Sequence, residues 1–180
     1  MNLLHNNTLG IDIGSTTVKI AVLDSEHHML FADYERHYAN IQETLALLLS
    51  RAKEKLGEMT VSPSITGSGG LTLSGHLNVP FTQEVVAVAT ALQDYAPQTD
   101  VAIELGGEDA KIIYFTGGID QRMNGICAGG TGSFIDQMAS LLQTDASGLN
   151  EYAKNYHSLY TIAARCGVCL LYTSYAADEG

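Results

Sequence analysis

A short pattern occurs twice in this chain and limits the folds open to it: an acidic residue, a glycine two positions later, and a lysine seven positions after the acid. Its six residues are Asp12, Gly14, Lys19, Glu104, Gly106 and Lys111. In both copies an apolar run precedes the acid and a strand-like run follows the glycine, which predicts two strands joined by a tight turn. The second half of the chain therefore restarts like the first, and we place the boundary between two lobes near Pro97. Two unrelated β-turns of similar composition would give the same pattern.

The rest of the sequence alternates between helix-like and strand-like patterns. Apolar residues recur at helical spacing over 41–56, where Gly57 predicts the C-terminal stop, and over 85–92, before Pro97. A further apolar helix is expected over 134–142. Additional strands are expected at 29–34, 61–66, 101–105 and 111–115. This alternation predicts an α/β fold.

The chain is strongly acidic, with 9 lysine and arginine residues against 20 aspartate and glutamate residues and a formal net charge of −11. An excess of carboxylates repels nucleic-acid phosphates and anionic lipid, so we expect neither nucleic acid nor a membrane among the partners. Residues 1–8 lack the basic start and apolar run of a signal peptide, and no apolar stretch approaches the ~18–20 residues of a membrane span. These features predict a cytoplasmic protein. The six histidines are scattered, and we expect them at the solvated surface.

The first of the two turns has the composition of a phosphate-binding loop. Gly14 lets backbone N–H groups approach an anion closely. Further donors without charge are the hydroxyls of Ser15, Thr16 and Thr17. Asp12 is better suited to hold Mg²⁺, directly or through water, than to contact a bare phosphate. A plain hairpin turn would use similar residues, but the second turn, over 104–109, favours phosphate, because two such hairpins facing each other can hold β- and γ-phosphates from both sides.

Four segments of the chain resemble one family. Residues 10–19 and 104–111 look like the first and second phosphate motifs of the two-lobed ATPases that include sugar kinases, heat-shock-70 proteins and actin. Within that superfamily, residues 123–134 and 162–168 resemble the ATP-dependent activators of 2-hydroxyacyl-CoA dehydratases, which are akin to the ATPase subunits of benzoyl-CoA reductase. The resemblance is continuous from about residue 8 to Val168.

This resemblance implies a ribonuclease H-like, actin-like ATPase fold of the α/β class, with a first lobe over 1–97 and an incomplete second lobe over 98–168. It implies ATP or ADP as the nucleotide, together with Mg²⁺, and it implies that Asp12 and Glu104 are catalytic carboxylates. The nucleotide-binding residues implied in the same way are Gly14, Ser15, Thr16, Thr17, Lys19, Gly106, Gly107 and Asp109.

The resemblance further implies a homodimer that hydrolyses ATP and passes a low-potential electron to a partner enzyme. That partner would be a 2-hydroxyacyl-CoA dehydratase or a related reductase component, and a donor such as ferredoxin or flavodoxin would supply the electron. Two other functions compete with this one. A small-molecule kinase of the same fold would have no need of cysteines beside glycine turns, and an inactive fragment would act only as a nucleotide sensor.

The cysteines are the second chemical signal in the sequence. Cys127 precedes a glycine-rich turn and the helix expected over 134–142, and a helix N-terminus stabilises a thiolate. A [4Fe–4S] cluster requires four thiolates, so Cys127 and Cys166 of two chains related by a two-fold axis would supply a cluster that bridges a homodimer. Buried, inert cysteines are one alternative, and a redox or half-zinc pair of Cys166 with Cys169 is another.

After Val168 the sequence departs from the family pattern. We expect residues 169–180 to be a non-family tail, since the family continues at this point with the rest of the second lobe, including its adenosine-binding motif. Cys169 is therefore not included among the expected cluster ligands.

Overall fold

In a computed structural model of the chain, residues 7–123 and 131–159 are described. The chain divides into two compact units, Met1–Thr99 and Asp100–Gly180, which we call the first and the second unit. Both contain an antiparallel run of three strands, followed by helices. Within the described ranges, no helix combines the length and the apolar composition that crossing a membrane requires.

The first unit is built on a four-stranded sheet. Its strands are β1 (Asn7–Ile13), β2 (Thr17–Leu23), β3 (Met29–Arg36) and β4 (Val61–Thr66), in the order β3-β2-β1-β4. The first three strands form an antiparallel meander, whereas β4 lies parallel to β1. A parallel pair needs a crossover connection, and helix α1 (Ile41–Leu56) lies in that connection.

The core of the first unit lies between α1 and one face of this sheet. Successive side chains of a strand point to opposite faces, so alternate residues of β1 and β2 are buried together. Ile13 lies opposite Val18, and both side chains are fully buried, as is Leu48 of α1. The other members of this core are Leu9, Ile11, Ile20, Val22, Phe31, Leu45, Ala52 and Ile65. This packing fixes the end of β1, and with it the first predicted hairpin.

Two more helices follow β4 in the first unit. They are α2 (Gly70–Leu77) and α3 (Glu84–Tyr95). A cavity of about 1080 Å³ lies between sheet residues and α3, and its lining includes Asp12, Lys19 and Asp94. The hairpin residues with charged side chains therefore border an open space that belongs to the first unit alone.

The second unit contains a smaller sheet. Strands β5 (Val101–Leu105), β6 (Ala110–Tyr114) and β7 (Asp120–Met123) pair antiparallel in the order β5-β6-β7. Helix α4 (Gly132–Leu141) and helix α5 (Ala146–Lys154) follow. At the start of α5 the Asp145 side chain accepts a hydrogen bond of 2.9 Å from the Gly148 N–H, which satisfies one of the unpaired donors of the first turn.

Most of the expected elements are confirmed. The helix over 41–56 and the strands over 61–66 and 101–105 have the predicted bounds. The strand expected at 29–34 continues to Arg36, and the one expected at 111–115 lies one residue earlier. The helices expected over 85–92 and 134–142 are present as α3 and α4. The sequence patterns did not indicate α2, β7 or α5.

Candidate functional site

The first hairpin is a tight turn between β1 and β2. The Gly14 N–H donates to the Thr17 carbonyl oxygen at 2.9 Å and closes the turn. Two positions before the glycine, Asp12 lies opposite Lys19, and the Lys19 Nζ donates to Asp12 Oδ2 at 2.7 Å. The exposed fractions of the two side chains are 30% for Asp12 and 52% for Lys19. The acid and the lysine therefore form a solvent-accessible ion pair beside the turn.

The tip of this hairpin keeps polar groups available for a ligand. Ser15 is exposed, and Thr16 and Thr17 are half-buried. Among residues 7–123 and 131–159, no group accepts a hydrogen bond from the Ser15 or Thr16 backbone N–H. Free amides at a glycine turn are the groups by which backbone binds anions.

A second turn, which follows β4, lies directly against the first hairpin. The Gly69 N–H donates to the Ile13 carbonyl oxygen at 2.9 Å. At Gly67, where φ is +93°, a Cβ atom would overlap the same oxygen and would lie 2.5 Å from Asp12 Oδ1. Only glycine fits at this position, both for its backbone conformation and for the space available. The close approach holds the backbone of this turn beside the Asp12 carboxylate.

Thr66 adds an unsatisfied hydroxyl at the same place. It lies opposite Asp12 in the parallel pair of β4 with β1. Its Oγ1 is buried and has no hydrogen-bond partner in the described part of the chain. A buried polar group without a partner is rare in folded proteins and is often found where a ligand, water or ion binds.

The second hairpin repeats the first in its local geometry. The Gly106 N–H donates to the Asp109 carbonyl oxygen at 2.8 Å, and Glu104 lies opposite Lys111. Here the lysine is the buried partner, with 10% of its side chain exposed against 34% for Glu104, and the distance from Nζ to Oε1 is 3.6 Å. The other carboxylate oxygen, Oε2, is buried and lacks a partner among the described residues. It could accept a hydrogen bond from a water or a ligand.

The start of α4 supports this second hairpin. The Gly132 N–H donates to the Gly106 carbonyl oxygen at 2.7 Å, and the Ser133 N–H donates to the Gly107 carbonyl oxygen at 3.0 Å. A Cβ at position 132 would lie 2.8 Å from the Gly106 oxygen, so the contact requires a glycine. Two of the free donors at the N-terminus of α4 are thereby satisfied by the hairpin itself.

The donor set of the first hairpin fits Mg²⁺ bound together with phosphate. Mg²⁺ is typically held by one or two carboxylates, with substrate phosphates and water as the other ligands. Asp12 supplies one carboxylate at the edge of the cavity. No cluster of three or more histidine, cysteine or acidic residues that could hold a metal by itself occurs in the ranges that the structure describes. Cys127, Cys166 and Cys169, and the tail expected over 169–180, lie outside those ranges.

His37 is a residue that the sequence analysis placed wrongly. It was expected at the solvated surface, but only 9% of it is exposed. Its Nε2 lies 3.2 Å from the Gly14 carbonyl oxygen, across 23 residues of sequence. No local sequence pattern reveals a contact of this range, which depends on the pairing of β2 with β3.

The fold places the chain in a known structural class. It matches the crystal structure of component A of (R)-2-hydroxyglutaryl-CoA dehydratase from Acidaminococcus fermentans with a TM-score of 0.83 and 26% identity, covering 97% of this chain and 69% of that one. The activator of 2-hydroxyisocaproyl-CoA dehydratase from Clostridium difficile, solved with bound ADPNP, matches with a TM-score of 0.79 at 24% identity, covering 97% and 67%. The chain therefore has the α/β fold of the actin-like ATPases, as expected from its sequence.

Sequence comparison gives the family. Residues 9–170 match the BadF/BadG/BcrA/BcrD ATPase family, and the chain belongs to that family. The (R)-2-hydroxyglutaryl-CoA dehydratase activating ATPase of Acidaminococcus fermentans is 28% identical over 166 residues, which cover 89% of this chain and 63% of that protein. The chain thus spans less than two thirds of the length of this relative.

Proposed function

We propose that the chain binds ATP and hydrolyses it, with the two acid-glycine hairpins as its phosphate loops. The observation that carries the proposal is the equivalence of the hairpins, each with a glycine N–H closing the turn and an acid opposite a lysine. Membership of an ATPase family supports it. The ADPNP bound to the activator from Clostridium difficile supports a nucleotide as the ligand of this fold.

Each residue has a role that its surroundings support. The free amides of Ser15 and Thr16 bind phosphate oxygens, and the hydroxyls of these residues and of Thr17 add further donors. Gly14, Gly106 and Gly107 let backbone approach the phosphates. Lys19 is accessible and exchanges its partner Asp12 for a phosphate oxygen when the nucleotide binds.

The acidic residues of the two hairpins have separate roles in this proposal. Asp12 holds Mg²⁺, which neutralises phosphate charge when bound. Glu104 accepts a hydrogen bond from the attacking water through its unpaired oxygen Oε2 and orients that water. Asp109 closes the second turn through its carbonyl oxygen and keeps Gly106 and Gly107 in place. The reaction consumes ATP and water and releases ADP and phosphate.

We propose further that the natural role is to activate a 2-hydroxyacyl-CoA dehydratase or a related reductase component. Relatives with this role in their names support the partner. We propose that the nucleotide acts as a switch by contacting both hairpins, since a ligand shifts an equilibrium only by its differential affinity for the two states. A cytoplasmic donor such as ferredoxin or flavodoxin supplies one electron, which passes to the partner enzyme.

The cysteine motifs support an iron–sulfur centre in this role. We propose that Cys127 and Cys166 of two chains hold one [4Fe–4S] cluster across a homodimer, since four thiolates are needed and each chain provides two on family-like motifs. The cluster supplies a one-electron centre when bound. A small-molecule kinase of the same fold would contain no iron and would transfer the γ-phosphate to a hydroxyl instead of water.

Nucleotide binding by the full chain tests the first proposal. Calorimetric titration with Mg-ATP and a phosphate-release assay are applied to the wild type, to Asp12→Ala and to Glu35→Gln. The last is a matched control, because Glu35 also forms an ion pair on this sheet, with Arg51 of α1 at 3.2 Å, but lies opposite Val18 on the face that carries α1, not on the face of Lys19. We expect Asp12→Ala to lower Mg-dependent turnover on the order of 100-fold or more, and Glu35→Gln to leave it unchanged. Equal turnover in the wild type and Asp12→Ala would refute the proposal.

Iron and sulfide analysis of anaerobically purified protein tests the cluster. We expect about four irons per two chains in the wild type and in Cys169→Ser, and neither iron nor a stable dimer in Cys127→Ser. A cluster that survives Cys127→Ser, or one that depends on Cys169, would contradict the bridging arrangement. Iron-free protein that phosphorylates a small molecule would favour the kinase.

A further inference from the structure

His37 is buried against the first hairpin, on the side to which the Gly14 carbonyl points. Its two ring nitrogens make different contacts. The Ala39 N–H donates to Nδ1 at 3.0 Å, and Nε2 lies 3.2 Å from the Gly14 carbonyl oxygen. A nitrogen that accepts a hydrogen bond carries no proton. The neutral ring then has its proton on Nε2, which donates to the Gly14 carbonyl.

The backbone around His37 fixes the position of the ring. The His37 N–H donates to the Thr16 carbonyl oxygen at 3.2 Å, and the Asn40 N–H donates to the His37 carbonyl oxygen at 2.6 Å. Between them, Tyr38 and Ala39 have φ values of +43° and +69°, a conformation that side-chain-bearing residues seldom adopt. The contact from Ala39 to Nδ1 helps to hold this turn. His37 therefore connects the turn that precedes α1 to the first hairpin through these hydrogen bonds.

The contact of His37 with the Gly14 oxygen also determines the direction of the next backbone N–H in the hairpin. The carbonyl of Gly14 and the N–H of Ser15 belong to one planar trans peptide and point in opposite directions. Because Nε2 holds the Gly14 oxygen on the His37 side, the Ser15 N–H is directed to the opposite side. Without this contact the peptide could rotate and present its carbonyl oxygen, which repels an anion, at the place where the N–H attracts one.

We infer that His37 is the positioning residue of the first phosphate loop, in that it orients the Gly14–Ser15 peptide so that the Ser15 amide is preorganised for a nucleotide phosphate. His37 does not touch the phosphate in this arrangement. The inference deepens the proposed function and rests on the hairpin being a phosphate loop.

Two substitutions separate the two ring contacts. In His37→Gln the side-chain amide nitrogen reaches about as far as Nε2 and still donates to the Gly14 oxygen, but the acceptor for Ala39 is lost. In His37→Asn the side-chain oxygen takes the place of Nδ1 and still accepts from Ala39, but the donor to Gly14 is lost. Each variant removes one hydrogen bond, so the two are matched in their expected effect on stability.

The readouts are the affinity for Mg-ADP, from calorimetry, and the hydrogen exchange of the Gly14 amide without nucleotide. We expect His37→Asn to weaken Mg-ADP binding by about tenfold and to speed Gly14 exchange by a similar factor, as for the loss of one hydrogen bond. His37→Gln should restore both to within about twofold of the wild type. A histidine that only stabilised its own turn would give the reverse order, because Asn preserves the turn contact.

Three results would overturn the inference: the reverse order of the two variants, wild-type affinity and Gly14 exchange in His37→Asn, or equal losses in both variants at equal melting temperatures. A failure of the proposed function is recognised separately. If the wild type binds no Mg-ADP while Gly14 exchange still separates the two variants, the phosphate loop is refuted and the orientation of the hairpin by His37 stands.

Discussion

The two hairpins of this protein have the same local design but are supported in different ways. In the first, the residues that flank the turn, Ile13 and Val18, are fully buried in the core of the sheet. The turn is then held from outside by His37 and by Gly69. In the second unit, the outer strand β5 has no buried residue, and its hairpin is held by hydrogen bonds from the start of α4.

The ion pairs of the two hairpins also differ, both in their exposure to solvent and in the distance between the charged atoms. Lys19 is half exposed and contacts Asp12 at 2.7 Å, whereas Lys111 is nearly buried and its nitrogen is 3.6 Å from the Glu104 oxygen. An exposed pair contributes little to stability and separates easily. The first pair is therefore suited to exchange partners with a ligand, and the second is suited to hold a carboxylate in place. A repeated sequence pattern thus gives two hairpins whose ion pairs differ in exposure and in distance.

The largest effect that we expect comes from the turn that supports the first hairpin. Gly67→Ala should lower the free energy of unfolding by about 4 kcal/mol, because it combines a strained positive φ with overlap on the Ile13 carbonyl. Gly57→Ala is the control, since Gly57 also has a positive φ but a Cβ there meets nothing within 4 Å. It should cost about 1.5 kcal/mol. Urea unfolding measures both, and equal costs would show that the close approach to β1 is unimportant.

The corresponding support in the second unit should be less sensitive. In Gly132→Ala the Cβ would lie 2.8 Å from the Gly106 oxygen without a positive φ, so we expect a loss of about 2 kcal/mol. Gly75→Ala, in the open part of α2, should instead stabilise the protein by about 0.5–1 kcal/mol. The unfolding midpoints of the two variants should therefore move in opposite directions. A Gly132→Ala variant as stable as the wild type would remove α4 as the support of the second hairpin.

The two lysines provide a direct comparison of the ion pairs. Lys111→Met should destabilise the protein by about 1–2 kcal/mol, because it leaves a half-buried Glu104 without its cation. Lys19→Met should change the free energy of unfolding by less than about 0.5 kcal/mol, since its pair with Asp12 is open to solvent. Denaturant unfolding checks both. A larger loss of stability in Lys19→Met than in Lys111→Met would contradict this difference between the two ion pairs.

The smallest effect concerns the turn at the other end of β2. The backbone N–H groups of His28 and Glu26 donate to Asp24 Oδ1 at 2.9 and 2.8 Å. These hydrogen bonds hold the pKa of Asp24 below its ordinary value of 3.8, and the bond from His28 contributes most. The charged form is favoured in the folded state, so this contribution is present above pH 3.8 and is lost as the pH falls through the lowered pKa. An NMR titration of the Asp24 carboxyl carbon should show a lower midpoint in the folded protein than in urea. Equal midpoints would contradict the role of these bonds.

The sequence predicted those parts of the fold that depend on local periodicity. The helix over 41–56 has a regular apolar stripe and a terminal glycine, and it was found with the expected bounds. In contrast, α2 contains two glycines, Gly70 and Gly75. Its first residue packs against Ile65 of β4, and Gly69, just before the helix, contacts Ile13 of β1. β7 is fully exposed, and three of its four residues are polar or charged, so it has no alternation to detect.

In the candidate site too, the residues that are close in sequence were predictable and those brought in by distant contacts were not. The acid, glycine and lysine positions were visible in the sequence because a hairpin places residues near in sequence opposite each other. Gly67, Thr66 and His37 contact or face the same hairpin across 23 to 54 residues of sequence, through the pairing of β4 with β1 and of β2 with β3. The Asp145 cap of α5 is the exception, because a capping residue before a helix is a local signal that could have been used.

We propose that both hairpins bind the phosphates of one nucleotide. Amide NMR spectra of the full chain during titration with Mg-ADPNP test this proposal. We predict that the amide resonances of Ser15 and Thr16 in the first hairpin and of Gly106 and Gly107 in the second shift together and saturate at one ligand concentration, while those of the exposed strand β7 stay in place. Shifts confined to one hairpin, or absent from both, would contradict the claim.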